Sequence, residues 1–111
     1  MTTIEVFHQG EYITGFCATG HTGYGEEGED IVCAAVSAIT QTALLGLQKF
    51  VPDIQSRIAE GDEPILSVRL KNPCHDSEII LQTMVCGLED ILAGVPQFVR
   101  VLHHRTEMNT K

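Results

Sequence analysis

Apolar and polar residues alternate with period two over Thr3 to Phe7 (TIEVF) and again over Tyr12 to Cys17 (YITGFC), with Gln9 and Gly10 between the two runs. Side chains of a strand alternate between faces, so the pattern predicts two strands joined as a β-hairpin. From Ala18 to Gly28 (ATGHTGYGEEG) neither a strand nor a helix period survives and four glycines appear, which predicts a mobile loop. Between Glu29 and Val51 the period lengthens. Val32, Val36, Ile39, Ala43, Leu47 and Phe50 recur at steps of three and four, one stripe along a helix that Asp30 can cap and Pro52 stops. Ile54 to Ile58 and Ile65 to Leu70 alternate again around Glu60, Gly61 and Asp62, a second hairpin, with a helix over Asp53 to Glu60 as the alternative. After the Asn72-Pro73 break, a second helix starting near Asp76 or Ser77 would turn Ile80, Met84, Leu88 and Ile91 inward and end at Gly94. Phe98 to Leu102 (FVRVL) reads as a last strand and HHRTEMNTK as a loose tail.

The predicted order is ββαββαβ, an α+β fold with a mixed or antiparallel five-stranded sheet and two amphipathic helices packed on one face. A chain of 111 residues suits one domain spanning 1–111, since domains peak at about 100 to 150 residues. With 43% hydrophobic and 20% charged residues the chain reads as globular and soluble, and no run approaches the roughly 20 uninterrupted apolar residues of a membrane span. Its first residues carry no export signal, so a cytoplasmic location is expected. In that compartment Cys17, Cys33, Cys74 and Cys86 should be free thiols, and their spacing contains no paired zinc-binding motif; no metal or cofactor is expected. The net charge of −8, from 15 acidic and 7 basic residues, disfavours phosphate backbones and suits a basic partner.

Chemistry concentrates between Gly20 and Ser37, in GHTGYGEEGEDIVCAAVS. With Asp30 as the cap, Cys33 falls in the first helical turn, where unpaired N–H groups and the helix dipole favour a thiolate. Asp30, Cys33 and Ser37 follow i, i+3, i+7 spacing, a polar stripe in which Ser37 can donate toward the sulfur. His21 lies in the preceding loop, and an imidazole within reach of a thiol can act as its general base near neutral pH. Gly20, Gly23, Gly25 and Gly28 would let that loop open and close over a substrate, while Ala34, Ala35 and Ala38 leave the helix start slim. A small buried cysteine, a solvated histidine and a plain capping aspartate account for the same residues separately. By spacing alone, the catalytic and the bland readings stand level.

The stretch GHTGYGEEGEDIVCAAVSAITQTALLGL, with the later MVCGLEDI and PQFVRV, resembles the Prp (YsxB-like) ribosomal-processing cysteine proteases over nearly the whole chain. The resemblance implies a Cys-His dyad with Cys33 as nucleophile and His21 as base, supported by Gly20, Asp30 and Ser37; Gly23 of the loop joins them as a supporting or substrate-binding candidate. It also implies a homodimeric α+β protein whose partner is a ribosomal protein precursor. Its substrate would be the hydrophobic N-terminal extension of large-subunit ribosomal protein twenty-seven, cut after a stretch ending in Phe-Phe-Ala or similar. NPCHDS, at Asn72 to Ser77, is less typical of the family.

Other candidates rank lower. Cys74 and His75 read as surface loop, and Cys17 and Cys86, within apolar runs, as core thiols. His103 and His104 would point to opposite faces of a strand and so share no ion. Glu26, Glu27, Glu29 and Asp30 form a solvated acidic rim. Two competing classes are a non-catalytic ribosome-associated binding or assembly factor and another thiol enzyme, a thioesterase or a redox protein, although no Cys-x-x-Cys is present.

Overall fold

The structure, a computed structural model, describes residues 1–20, 29–59 and 65–106. Seven elements follow in the expected order: β1 (Thr2–Gln9), β2 (Tyr12–Gly20), α1 (Glu29–Phe50), β3 (Ile54–Ala59), β4 (Ile65–Leu70), α2 (His75–Gly94) and β5 (Val99–Thr106). The strands form one five-stranded sheet in the order β3-β4-β2-β1-β5. The β1–β2, β2–β4 and β3–β4 pairs are antiparallel and β1–β5 is parallel, so the sheet is mixed. In the two-residue turn of the first hairpin Gly10 takes φ 61°, where a glycine has no Cβ penalty.

Parity along each strand decides what is buried. Thr2, Ile4, Val6 and His8 on β1 all turn to the face that carries the helices. The register brings Phe16, Val68 and Val99 to the same face, and Val36, Ala43, Leu44 and Leu47 of α1 with Leu81, Met84, Val85 and Leu88 of α2 close over them. The core is aliphatic apart from Phe16 and Phe98. Gly15 on β2 permits the close strand approach this requires: a Cβ there would collide with the Val68 carbonyl oxygen of β4, which is backbone and cannot step aside.

Several expectations change. The strand β2 runs on to Gly20, so the loop cannot begin at Ala18; residues 21–28 lie outside the described residues. The segment from Ile54 is a strand, as first read, and its helical alternative falls away because it pairs in register with β4. Helix α2 starts at His75, and Cys74 is its N-cap: the Cys74 N–H donates to Ser77 Oγ at 2.9 Å, and Cys74 packs half-buried against the core. Cys86 is exposed and Cys17 half-buried on the helix-free face, so neither is a core thiol. Phe50 is 63% exposed, while Thr40 takes a place in the buried row by donating to the Val36 carbonyl at 3.0 Å. The span Ile31–Phe50 has mean hydropathy 1.6 and is long and apolar enough to cross a membrane by length and composition only, a test that the core helix of a globular domain also passes; here one stripe of it covers the sheet.

The first four residues of the expected tail, His103 to Thr106, belong to a strand, and residues 107–111 lie outside the described residues. β5 continues through His103 and His104 to Thr106 along β1. His103 Nδ1 lies 2.8 Å from buried His8 Nε2, and His103 Nε2 is 3.7 Å from Glu89 Oε1 of α2. His104 points the other way, stacking on Phe7 with Nε2 3.0 Å from Glu5 Oε1. Burial, then Arg105 and His103, push the His8 pKa below 6.5, against a smaller opposing pull from Glu78. A folded-state pKa below the unfolded one means that the unfolded chain takes up the proton more readily. The His8 contribution is therefore present above its ordinary pKa and is lost as pH falls through the folded value. The melting temperature of the wild type should fall more steeply from about pH 7 to about pH 5 than that of His8→Gln. Equal slopes in thermal melts of the two proteins would refute this assignment.

Candidate active site

Cys33 continues the buried row of α1, Val36, Thr40 and Leu47, one turn toward the start of the helix. At that end the sheet beneath is running out. Thr2 is the first residue of β1 and Gly20 the last of β2, and the two pair across the ladder. Cys33 therefore sits on the rim of the core, half-buried rather than sealed in hydrocarbon. Its sulfur lies 2.9 Å from Thr2 Oγ1, and Thr2 itself is 6% exposed.

Gly20 takes its place in the same cluster for want of a side chain. A Cβ on Gly20 would come 3.1 Å from Thr2 Oγ1, tighter than a Cβ normally packs, while its 3.5 Å from Thr2 Cα would be ordinary contact. The residue before His21 is thus anchored one hydroxyl away from the sulfur. His21 and Gly23 lie outside the described residues. Asp30 is the second residue of α1, which starts at Glu29, so it sits inside the helix rather than at its cap and Cys33 is one turn in. Ser37 is exposed; the hydroxyl that meets the sulfur comes from β1, which the sequence reading did not single out. Only the pairing of β1 with β2 reveals Thr2, because its neighbours in the site are far away in the chain.

The other thiols stand apart. Cys17 lies on the helix-free face in register with Glu5, and burial followed by the Glu5 charge pushes its thiol pKa up, which keeps it protonated and unreactive. Among the described residues no group of three or more His, Cys, Asp or Glu side chains is placed to hold a metal ion.

The family model described as Cysteine protease Prp matches residues 1–100. The chain belongs to the Prp cysteine protease family. The ribosomal processing cysteine protease Prp of Staphylococcus aureus strain Mu50 is 36% identical over 95 residues, which cover 82% of this chain and 88% of that protein. The Prp of Mycoplasma pneumoniae is 32% identical over 82 residues, 74% of this chain and 79% of its own. The fold is shared as well. SMU.848 from Streptococcus mutans superposes with a TM-score of 0.83 at 22% identity, covering 96% of each chain. The S. aureus Prp solved in complex with a substrate peptide gives a TM-score of 0.75 at 22% identity over 94% of this chain and 100% of that one. This membership makes the chain one of the ribosomal processing cysteine proteases, and the α+β architecture is the one seen in Prp structures.

Proposed function

We propose that this protease works through a Cys33-His21 dyad and removes the hydrophobic N-terminal extension of large-subunit ribosomal protein twenty-seven, a step that supports ribosome assembly. The observation that carries the reading is the placement of Cys33 on the rim of the core, beside the end of β2 from which the chain leads directly into His21. The S. aureus relative has been solved with a substrate peptide and with a covalently linked product peptide, in keeping with acyl transfer to a thiol. In the proposed sequence the Cys33 thiolate attacks the scissile carbonyl, and N–H groups at the start of α1 hold the resulting oxyanion. His21 then protonates the departing amine, and water activated by His21 hydrolyses the thioester. A chain of net charge −8 suits a basic ribosomal protein as substrate.

The outer seam between the helices supports a homodimer. A cavity of about 530 Å³ there is lined by Ala38, Ile39, Thr42, Phe50 and Ile79 among others. Phe50, Ile79 and Leu45 nearby are 63%, 54% and 65% exposed. At about 100° per residue, Thr42 faces the side of α1 opposite Cys33, so this apolar surface is separate from the site. Contiguous apolar surface of this kind normally marks an interface, and a second copy of the same face satisfies it with two-fold symmetry.

Cleavage of a peptide carrying an apolar stretch that ends in Phe-Phe-Ala should slow at least a thousandfold, as a rough estimate, in Cys33→Ala and at least about a hundredfold in His21→Ala, with melting temperatures kept. Wild-type turnover by Cys33→Ala would end the dyad reading, and tight binding without turnover by the wild type would favour an assembly factor. In sedimentation equilibrium the wild type should be a dimer and Leu45→Glu/Ile79→Glu a monomer. A monomeric wild type, or a double variant that still dimerises, would contradict the interface.

A further inference from the structure

We propose that Thr2 is a positioning residue for the nucleophile: its hydroxyl donates to the Cys33 sulfur once the thiol has ionised and holds the thiolate toward the start of β1. This rests on the reading of Cys33 as the nucleophile. The geometry is a 2.9 Å contact between Thr2 Oγ1 and Cys33 Sγ, in which either atom could donate while the sulfur keeps its proton. Only the hydroxyl has a proton to give once the sulfur is ionised, so ionisation fixes the direction of the bond.

The donor is held rigidly. Thr2 is buried, and its N–H donates to the Phe98 carbonyl at 2.9 Å. Its backbone pairs with Gly20 on one side and Val99 on the other. A β-branched side chain on so fixed a backbone has few rotamers, so the hydroxyl is aimed before substrate arrives. The missing side chain at Gly20 gives the hydroxyl its room, since a Cβ there would press on Thr2 Oγ1. Charged groups close in sequence to these residues are the Met1 amino group, His21, and Glu29 and Asp30 on the helix itself. A substitution of Thr2 alters none of these groups chemically.

A hydrogen bond to a charged acceptor favours the ionised sulfur most where the thiol is otherwise protonated, at low pH. Where every sulfur is already ionised the same bond gives no advantage, because a more stabilised thiolate is intrinsically a weaker nucleophile. The signature is therefore a defect that depends on pH, whereas simple loss of packing would lower the rate evenly.

The test is alkylation of Cys33 by iodoacetamide across pH, resolved from the other thiols by peptide mapping, in the wild type, Thr2→Val and Thr2→Ser. The midpoint should lie about one pH unit higher in Thr2→Val and return to the wild-type value in Thr2→Ser. Peptide cleavage should follow: kcat/KM about tenfold lower in Thr2→Val at acidic pH, closing on the wild type at alkaline pH, with KM unchanged. An unmoved midpoint in Thr2→Val, or a rate deficit equal at all pH values, would overturn the proposal. Alkylation reads the contact without cleavage, so the two failures are distinguishable: an active Cys33→Ala overturns the nucleophile and with it the positioning role, whereas an unmoved alkylation midpoint overturns the positioning role alone.

Discussion

Period-two parity along β1 is the constraint from which both ends of the molecule follow. It sends Thr2, Ile4, Val6 and His8 to the helix-covered face. A slip of one residue would turn Thr3, Glu5 and Phe7 inward instead. Ile4 and Val6 make the centre of the core. Thr2 and His8, at either end, are where that core stops being purely apolar, and each finds a partner from another element: Thr2 the sulfur of Cys33, His8 the ring of His103. An interior strand fixed on both sides, antiparallel to β2 and parallel to β5, makes these two contacts as reproducible as the ladder itself.

Position on the rim, more than exposure, separates Cys33 from the other thiols. Cys86 is more exposed yet lies on the outer side of α2, and Cys74 is bound into a helix cap. Cys17 faces Glu5 on the helix-free side of the sheet, where burial and a negative charge both oppose its ionisation. Cys33 alone combines the start of a long helix, a hydroxyl supplied by the sheet and a neighbouring strand end that leads into a histidine. Those three features come from three elements, so the site is a product of tertiary packing.

What could be read in the sequence was whatever repeats locally. The alternation in β1 and β4 and the three-and-four spacing of α1 and α2 gave the element order and the α+β class, because burial on one face writes itself into the period. Polar strand residues hid the rest. His103 to Thr106 carry no apolar alternation, and only pairing with β1 makes them a strand; likewise Ala18 to Gly20 extend β2 through the register with Thr2 to Ile4. Within α1 the stripe was displaced: Phe50 was expected inside and Thr40 was overlooked, since an internal hydrogen bond lets a threonine occupy a core position. Cys33 was visible as a thiol near a helix start, and the family resemblance gave it a role. Thr2 was invisible, because a threonine at the head of a strand has no local mark of its purpose.

The central claim, that Cys33 is the attacking atom, is tested most directly by trapping it. A peptide ending in Phe-Phe-Ala with a thiol-reactive chloromethyl ketone in place of the scissile bond should label one cysteine of the native enzyme, and peptide mass mapping identifies which. The account predicts stoichiometric label on Cys33, competed by uncut substrate peptide. Label on Cys74 or Cys86 in its place, or no substrate-protected label at all, would contradict it.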